Sequence, residues 1–268
     1  MKNVLIVAPH PDDETLGCGG TILKYVSKNI KFHWLIITKM TKEAGYSSKQ
    51  IISRTNEIKI IKKKYNFSTV IEMNFLTARL DTYPLSLIIK EMSKVIKDIK
   101  PDTIFFPNRN DIHTDHRITF DAVIASTKSF NFDFVKNLLV YETLSETHIS
   151  MMSDKNDFIP NLWIDVNKQI NKKIDIMKIY KSEFKKFPHP RSIDCIKSLA
   201  KLRGSEVNLL AAEAFKILRK VYHIVKSQSF VAIDDDPYST HLPVLVGLAT
   251  FNQIKTVVEY GSGLNSTL

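Results

Sequence analysis

The stretch that most limits the folds open to this chain is Val4-Leu-Ile-Val-Ala8, an apolar run rich in branched residues and stopped by Pro9-His10-Pro11. A strand without polar alternation reads as buried on both faces, which calls for a sheet covered by helices on each side. The two prolines end its ladder bonding and stiffen the turn. Asp12, Asp13 and Glu14 follow at once, then Gly17, Gly19 and Gly20, which are expected to allow tight backbone passage before a helical pattern starts at Thr21. In an open α/β sheet, ligands bind at the carboxyl ends of the strands.

Three adjacent acids repel one another unless a positive charge sits among them. Two readings fit. The acids cap a helix by facing its amino-terminal dipole, or His10 and Asp13, three apart on a turn, face one divalent metal ion while Asp12 stays free. A second segment favours the metal. Pro107-Asn-Arg-Asn-Asp111-Ile-His113-Thr-Asp115-His116-Arg117 also follows an apolar run, Thr103–Phe106, and precedes a helix-like stretch, Arg117–Ser126. Its two histidines, three apart with an acid between them, offer one ligand and one acid–base group.

Ala8-Pro-His-Pro-Asp-Asp-Glu14 together with His113-Thr-Asp-His116 resembles the LmbE/PIG-L family of zinc-dependent N-deacetylases, which act on N-acetylglucosamine-type amino sugars on a Rossmann-like fold. The resemblance continues in order through Asn161–Val166, Lys181-Ser-Glu183, Pro188-His-Pro-Arg-Ser192, Leu202–Ser205 and Ala212–Phe215, and so covers roughly residues 1–222. It implies zinc, with iron(II) or another divalent metal as alternatives, held by His10, Asp13 and His116. It implies Asp12 as the general base. His113 would stabilise the oxyanion and help protonate the amine, with Asp115 hydrogen-bonded to an imidazole and keeping it cationic. Arg54 and Asp81 fall where the family places sugar contacts, while His189 and Arg191, in its Pro-His-Pro-Arg-Ser segment, would line the substrate pocket or a subunit contact; homo-oligomers are common in the family.

Strands alternating with helices imply an α/β, Rossmann-like, mostly parallel sheet flanked by helices. Expected strands are Val4–Ala8, Phe32–Thr38, Val70–Phe75, Thr103–Phe106 and Asn137–Glu142. Expected helices are Ile51–Tyr65, Leu85–Ile99, Lys168–Phe187 and Ile193–Tyr222. The polar stretch Lys39–Gln50 reads as a lid. The deacetylase-like domain is expected over 1–227. The segment 228–268 reads as a linker plus a truncated start of a second domain, because Thr256–Leu268 is similar to the opening strand and glycine turn of class I S-adenosylmethionine-dependent methyltransferases.

A formal net charge of +10 invites nucleic acid as a partner. The lysines are instead spread along helices, as in Glu57–Tyr65, and no nucleic-acid motif accompanies them, so none is expected. The basic surface is compatible with an anionic amino-sugar substrate. No run approaches the roughly 20 apolar residues of a membrane span. Met1-Lys-Asn leads straight into the first strand, so no signal peptide is expected, and Cys18 and Cys195 suit a reducing cytoplasm. Two other functions compete: a non-catalytic metal- or sugar-binding domain, and a non-haem iron oxygenase, whose facial triad also uses two histidines and a carboxylate. Asp12 and His113, which binding alone would not require, favour hydrolysis.

Overall fold

The protein was analysed as a computed structural model, which describes residues 1–26, 28–150 and 158–221. The chain begins with strand β1 (Asn3–Ala8), helix α1 (Asp13–Val26), β2 (Lys31–Lys39), α2 (Ser48–Tyr65) and β3 (Thr69–Leu76). A 3-10 turn (Leu80–Thr82) leads to α3 (Leu85–Ile99), β4 (Thr103–Pro107), α4 (Thr114–Ser126) and β5 (Asn137–Tyr141). Then come β6 (Leu162–Asp165), α5 (Ile170–Met177), α6 (Ile193–Ser205) and β7 (Ala212–Lys220).

The strands form one sheet in the order β3-β2-β1-β4-β5-β7-β6. β1 pairs in parallel with β2 and β4, as do β2 with β3 and β4 with β5, while β6 and β7 are antiparallel. The fold is therefore α/β with a mostly parallel sheet. Val4, Ile6 and Ala8 pack on one face against α1, α2, α5 and α6; Leu5 and Val7 pack on the other against α3 and α4. Burial on both faces is why β1 carries no polar alternation. Strand order reverses between β1 and β4, and the crevice at their carboxyl ends is the switch point at which such sheets bind ligands.

Local chemistry sets the helices. In α3, Ile88, Met92 and Ile96 form a buried stripe at four-residue spacing, and Lys100 ends the helix in a left-handed cap. α2 opens with a Ser47–Gln50 capping box and buries Arg54, Glu57, Ile58, Ile61 and Tyr65, leaving Lys59, Lys62, Lys63 and Lys64 in solvent. The lysine run is thus a solvated helix face.

Three expectations differ from the structure. α1 starts at Asp13, not Thr21, so the acids form its first turn and the glycines lie inside it. These glycines serve close packing: a Cβ at Gly17 would sit 2.3 Å from the Tyr141 ring, and one at Gly20 2.7 Å from Val166. The expected helix Lys168–Phe187 shrinks to α5 (Ile170–Met177), beyond which the chain runs through turns to the cis Phe187–Pro188 bond. The expected helix Ile193–Tyr222 ends at Ser205, and Ala212–Lys220 is strand β7. There Asn161 Oδ1 and the pairing with β6 satisfy a backbone that reads equally well at helical period. Met1–Arg219 pack as one compact unit. The domain break expected near residue 228, and the methyltransferase-like segment after it, lie outside the described residues.

A buried ion pair fastens α1 from below. Glu213 of β7 accepts Gly20 N at 2.8 Å, Thr21 N at 2.7 Å and the Thr21 hydroxyl at 2.7 Å. Lys173 of α5 donates to Glu213 at 2.7 Å and to the Leu16 carbonyl at 2.8 Å.

Candidate metal and catalytic site

The two charged segments meet at the ends of adjacent strands. Pro9 closes β1 by accepting Thr38 N and its hydroxyl, at 3.1 and 2.9 Å. The chain then turns so that the Asp12 carbonyl accepts the first amides of α1, Thr15 N at 3.0 Å and Leu16 N at 2.9 Å. Asp12 has φ +135°, a conformation that L side chains rarely adopt and that costs about 1–3 kcal/mol. Glu14 holds it there. Its Oε2 accepts Asp12 N at 3.0 Å, while its Oε1 takes the Tyr180 hydroxyl at 2.7 Å. Burial raises the Glu14 carboxyl to about 8. On the β4 side, His113 caps α4, its Nδ1 accepting Asp115 N at 3.1 Å.

Asp13 is fully buried and lies between two imidazoles. His10 Nδ1 is 3.4 Å and His116 Nε2 is 3.3 Å from its Oδ2. The far nitrogen of each ring is tied to another carboxylate, His10 Nε2 to Asp115 at 2.9 Å and His116 Nδ1 to Asp111 at 2.8 Å. A histidine held through one nitrogen presents the other in a fixed direction, as in carboxylate–histidine–metal arrangements. His10, Asp13 and His116 each offer a ligand atom within 4.8 Å of the others. Asp13 Oδ1 is buried and has no hydrogen-bond partner among the described residues. Two imidazoles and a carboxylate are a donor set suited to zinc, and the residues fit a divalent ion.

A second cluster, His10, His113 and Asp115, shares the opposite edge of the His10 ring. It fits a metal less well, because Asp115 already accepts Ala78 N at 2.8 Å and Leu80 N at 3.1 Å besides His10. The imidazole that Asp115 holds is therefore that of His10. Burial works against a charge on His10, but hydrogen bonds from Asp115 and Asp13 outweigh it and raise the ring to about 9. His113 moves the other way: burial and the neighbouring rings lower it to about 4, and it is neutral. The imidazole hydrogen-bonded to Asp115 is thus His10 rather than the nearer His113.

Asp12 lies beside this group. Arg191 donates to its Oδ2 at 2.6 Å. Burial raises the Asp12 carboxyl to about 7, against the pull of the Arg191 guanidinium. Arg191 also reaches Glu183 at 2.8 Å, the Ser145 hydroxyl at 3.0 Å and Glu146 at 3.3 Å.

The remaining expected contacts are more scattered. Arg54 is only 5% exposed and donates to the Pro11 carbonyl, Ser182 and Glu183, with Glu57 at 3.3 Å. It braces the wall behind the His-Pro turn. Asp81 is exposed on the 3-10 turn whose Leu80 amide Asp115 holds. His189 is exposed and accepts Arg191 N at 3.1 Å. Neither Asp81 nor His189 has a hydrogen bond or ion pair to the central cluster. Sequence reasoning assigned no role to Asp111, Ser145, Glu146, Thr147 or Tyr180. Asp111 stood inside the second charged segment and Glu183 inside Lys181-Ser-Glu183, but the loop after β5 carried no readable pattern.

Residues 5–127 match the family model described as GlcNAc-PI de-N-acetylase, PIG-L. A Bacillus anthracis protein described as a probable N-acetyl-alpha-D-glucosaminyl L-malate deacetylase 2 is 28% identical over 136 residues, 46% of this chain and 59% of that protein. Among solved structures, the conserved protein TT1542 of Thermus thermophilus superposes with a TM-score of 0.66 at 20% identity, covering 85% of this chain and 100% of that one. The N,N'-diacetylchitobiose deacetylase of Pyrococcus horikoshii superposes with a TM-score of 0.63 at 20% identity, covering 81% and 84%. Residues 5–127, just under half of the chain, are thus similar to the PIG-L family, and the solved structures share the fold.

Proposed function

We propose that this protein is a metal-dependent N-deacetylase that hydrolyses the acetamide of an N-acetylglucosamine-type amino sugar. The observation that carries this reading is the His10–Asp13–His116 cluster, next in sequence to Asp12, in which Asp13 Oδ1 is buried and has no hydrogen-bond partner among the described residues. His10, Asp13 and His116 would hold a divalent metal, zinc in this proposal. When bound, such an ion lowers the pKa of water and polarises a carbonyl.

The chain's own groups supply the rest. Arg191 engages Asp12 Oδ2, which leaves Oδ1 to take the proton of the attacking water. A carboxyl raised to about 7 suits a base that must later release that proton. His113 uses Nδ1 to accept the Asp115 amide, so its proton sits on Nε2 and points out as a hydrogen-bond donor. It donates to the carbonyl oxygen as negative charge builds there. The water oxygen bonds the acetyl carbon, the C–N bond breaks, and Asp12 returns its proton to the amine, giving acetate and a free amino sugar. Both arginines near Asp12 are already paired with carboxylates, so an anionic substrate group is not part of this proposal.

The test is acetate and primary-amine release from a panel of N-acetylglucosamine derivatives by zinc-loaded protein, with Asp12→Asn alongside. The expected result is turnover in the wild type and a loss of about 10²–10⁴-fold in the variant, with zinc retained. Turnover unchanged in Asp12→Asn would remove the assigned base. Zinc bound without release from any substrate would favour the binding-domain reading.

A further inference from the structure

Asp111 lies outside the proposed ligand set, five residues before His116, yet both its oxygens are committed. Oδ2 accepts the His116 Nδ1 proton at 2.8 Å, and Oδ1 accepts the Thr147 hydroxyl at 2.7 Å. The direction of the second bond is fixed. The Thr143 amide already donates to the Thr147 oxygen at 2.8 Å, so the hydroxyl proton must go to Asp111. Asp111 is fully buried and His116 is 1% exposed, so no water competes for either contact. The Ile112 amide donates to the Glu146 carbonyl at 3.3 Å, which pins the backbone beside Asp111 to the same turn.

We propose that Asp111, anchored by Thr147, is a positioning residue for metal binding: it keeps the proton of His116 on Nδ1 and aims Nε2 at the site shared with Asp13. Asp115 does the same for His10 from the other side. Without Asp111, the His116 ring can rotate or carry its proton on Nε2, where no metal can bind. The turn Thr143–Thr147 thereby gains a function. Through Thr147 it steadies the ligand arm, and through Ser145 and Glu146 it steadies Arg191 and so Asp12. This inference rests on the metal reading of the site.

The test measures zinc affinity of the full chain by competition with a chromogenic chelator, together with urea unfolding of the metal-free protein. Partners that orient a ligating histidine are worth about 10–100-fold in metal affinity. Asp111→Ala should weaken zinc binding by about 100-fold and Asp111→Asn, which keeps an acceptor oxygen, by about 10-fold. Thr147→Val should cost a few-fold in the wild-type background and nothing further in Asp111→Ala, because it acts through Asp111. A general packing role would lower metal-free stability without this grading.

Zinc affinity of Asp111→Asn and Asp111→Ala both within about threefold of wild type, below the range expected for such a partner, would overturn the inference. So would an equal cost of Thr147→Val in both backgrounds. If wild type itself binds no zinc, the metal reading falls and this inference with it; if wild type binds tightly and the variants do also, only the inference falls.

Discussion

Removing Glu213 should unfasten α1. Its carboxylate accepts two backbone amides, a hydroxyl and the Lys173 ammonium, and it is only 6% exposed. Glu213→Ala leaves Lys173 buried with only the Leu16 carbonyl to face, and leaves Gly20 N and Thr21 N without their side-chain acceptor. Breaking a buried pair from one side costs about 3–5 kcal/mol. For a domain of this size each kcal/mol moves Tm by about 2–4 °C, so a fall of about 6–20 °C is expected. Lys173→Met alone should cost less, because Glu213 keeps three other donors. The double variant should be less destabilised than the sum of the two, by about 1–3 kcal/mol, since it leaves no buried charge unpaired. The assay is urea unfolding of the metal-free chain and its single and double variants, with thermal melts as a check. A Tm for Glu213→Ala within about 2 °C of wild type, or strict additivity in the cycle, would refute the reasoning, because either would mean that the pair carries no buried charge.

Gly17→Ala places a methyl group 2.3 Å from the Tyr141 ring, whose hydroxyl is tied to the Val7 carbonyl at 2.9 Å. Overpacking of this kind costs about 1–3 kcal/mol, and a urea midpoint equal to wild type would show that the ring yields freely. Glu142 supplies a pH test. Burial acts to raise its carboxyl, but hydrogen bonds from His148 and Arg203 overcome burial and hold it below the usual range. A depressed folded pKa gives stability that is present above the unfolded value of about 4.3 and lost as pH falls towards the folded one. The stability gap between wild type and Glu142→Gln should therefore narrow as pH drops through that window; a gap that stays constant would sink the assignment.

Much of the sheet was legible because its signal is local. A strand buried on both faces is apolar throughout, and Val4–Ala8 and Thr103–Phe106 show this without knowledge of their neighbours. The two halves of the metal-type cluster were legible too, since both sit beside those strand ends, while the choice of His116 over His113 came from the family resemblance. The helix start at Asp13 was not, because three glycines argue against a helix until Tyr141 and Val166 are seen to need their space. Nor was β7, since Ala212–Lys220 satisfies either period and only its pairing with β6 decides. The partner of Asp115 was also beyond the sequence. His113 is nearer along the chain, yet the carboxylate turns to His10 across the switch point. Arg54, whose position suggested a ligand contact, is buried against Glu57, Ser182 and Glu183, partners that the sequence did not show.

The joining of β1 and β4 as direct neighbours has a bearing on how such a protein can change over time. His10, Asp12, Asp13, His113 and His116 all spring from two adjacent strand ends and the helices they feed, so the floor of the site is set by the most deeply packed part of the sheet. Other surroundings come from elsewhere: the segment between β2 and α2 and the 3-10 turn after β3. These are surface connections, which tolerate replacement far better than buried strands. Floor and walls can therefore diverge separately, and under the proposed function swapping one of these segments should change which substrate is accepted while the bond broken stays the same.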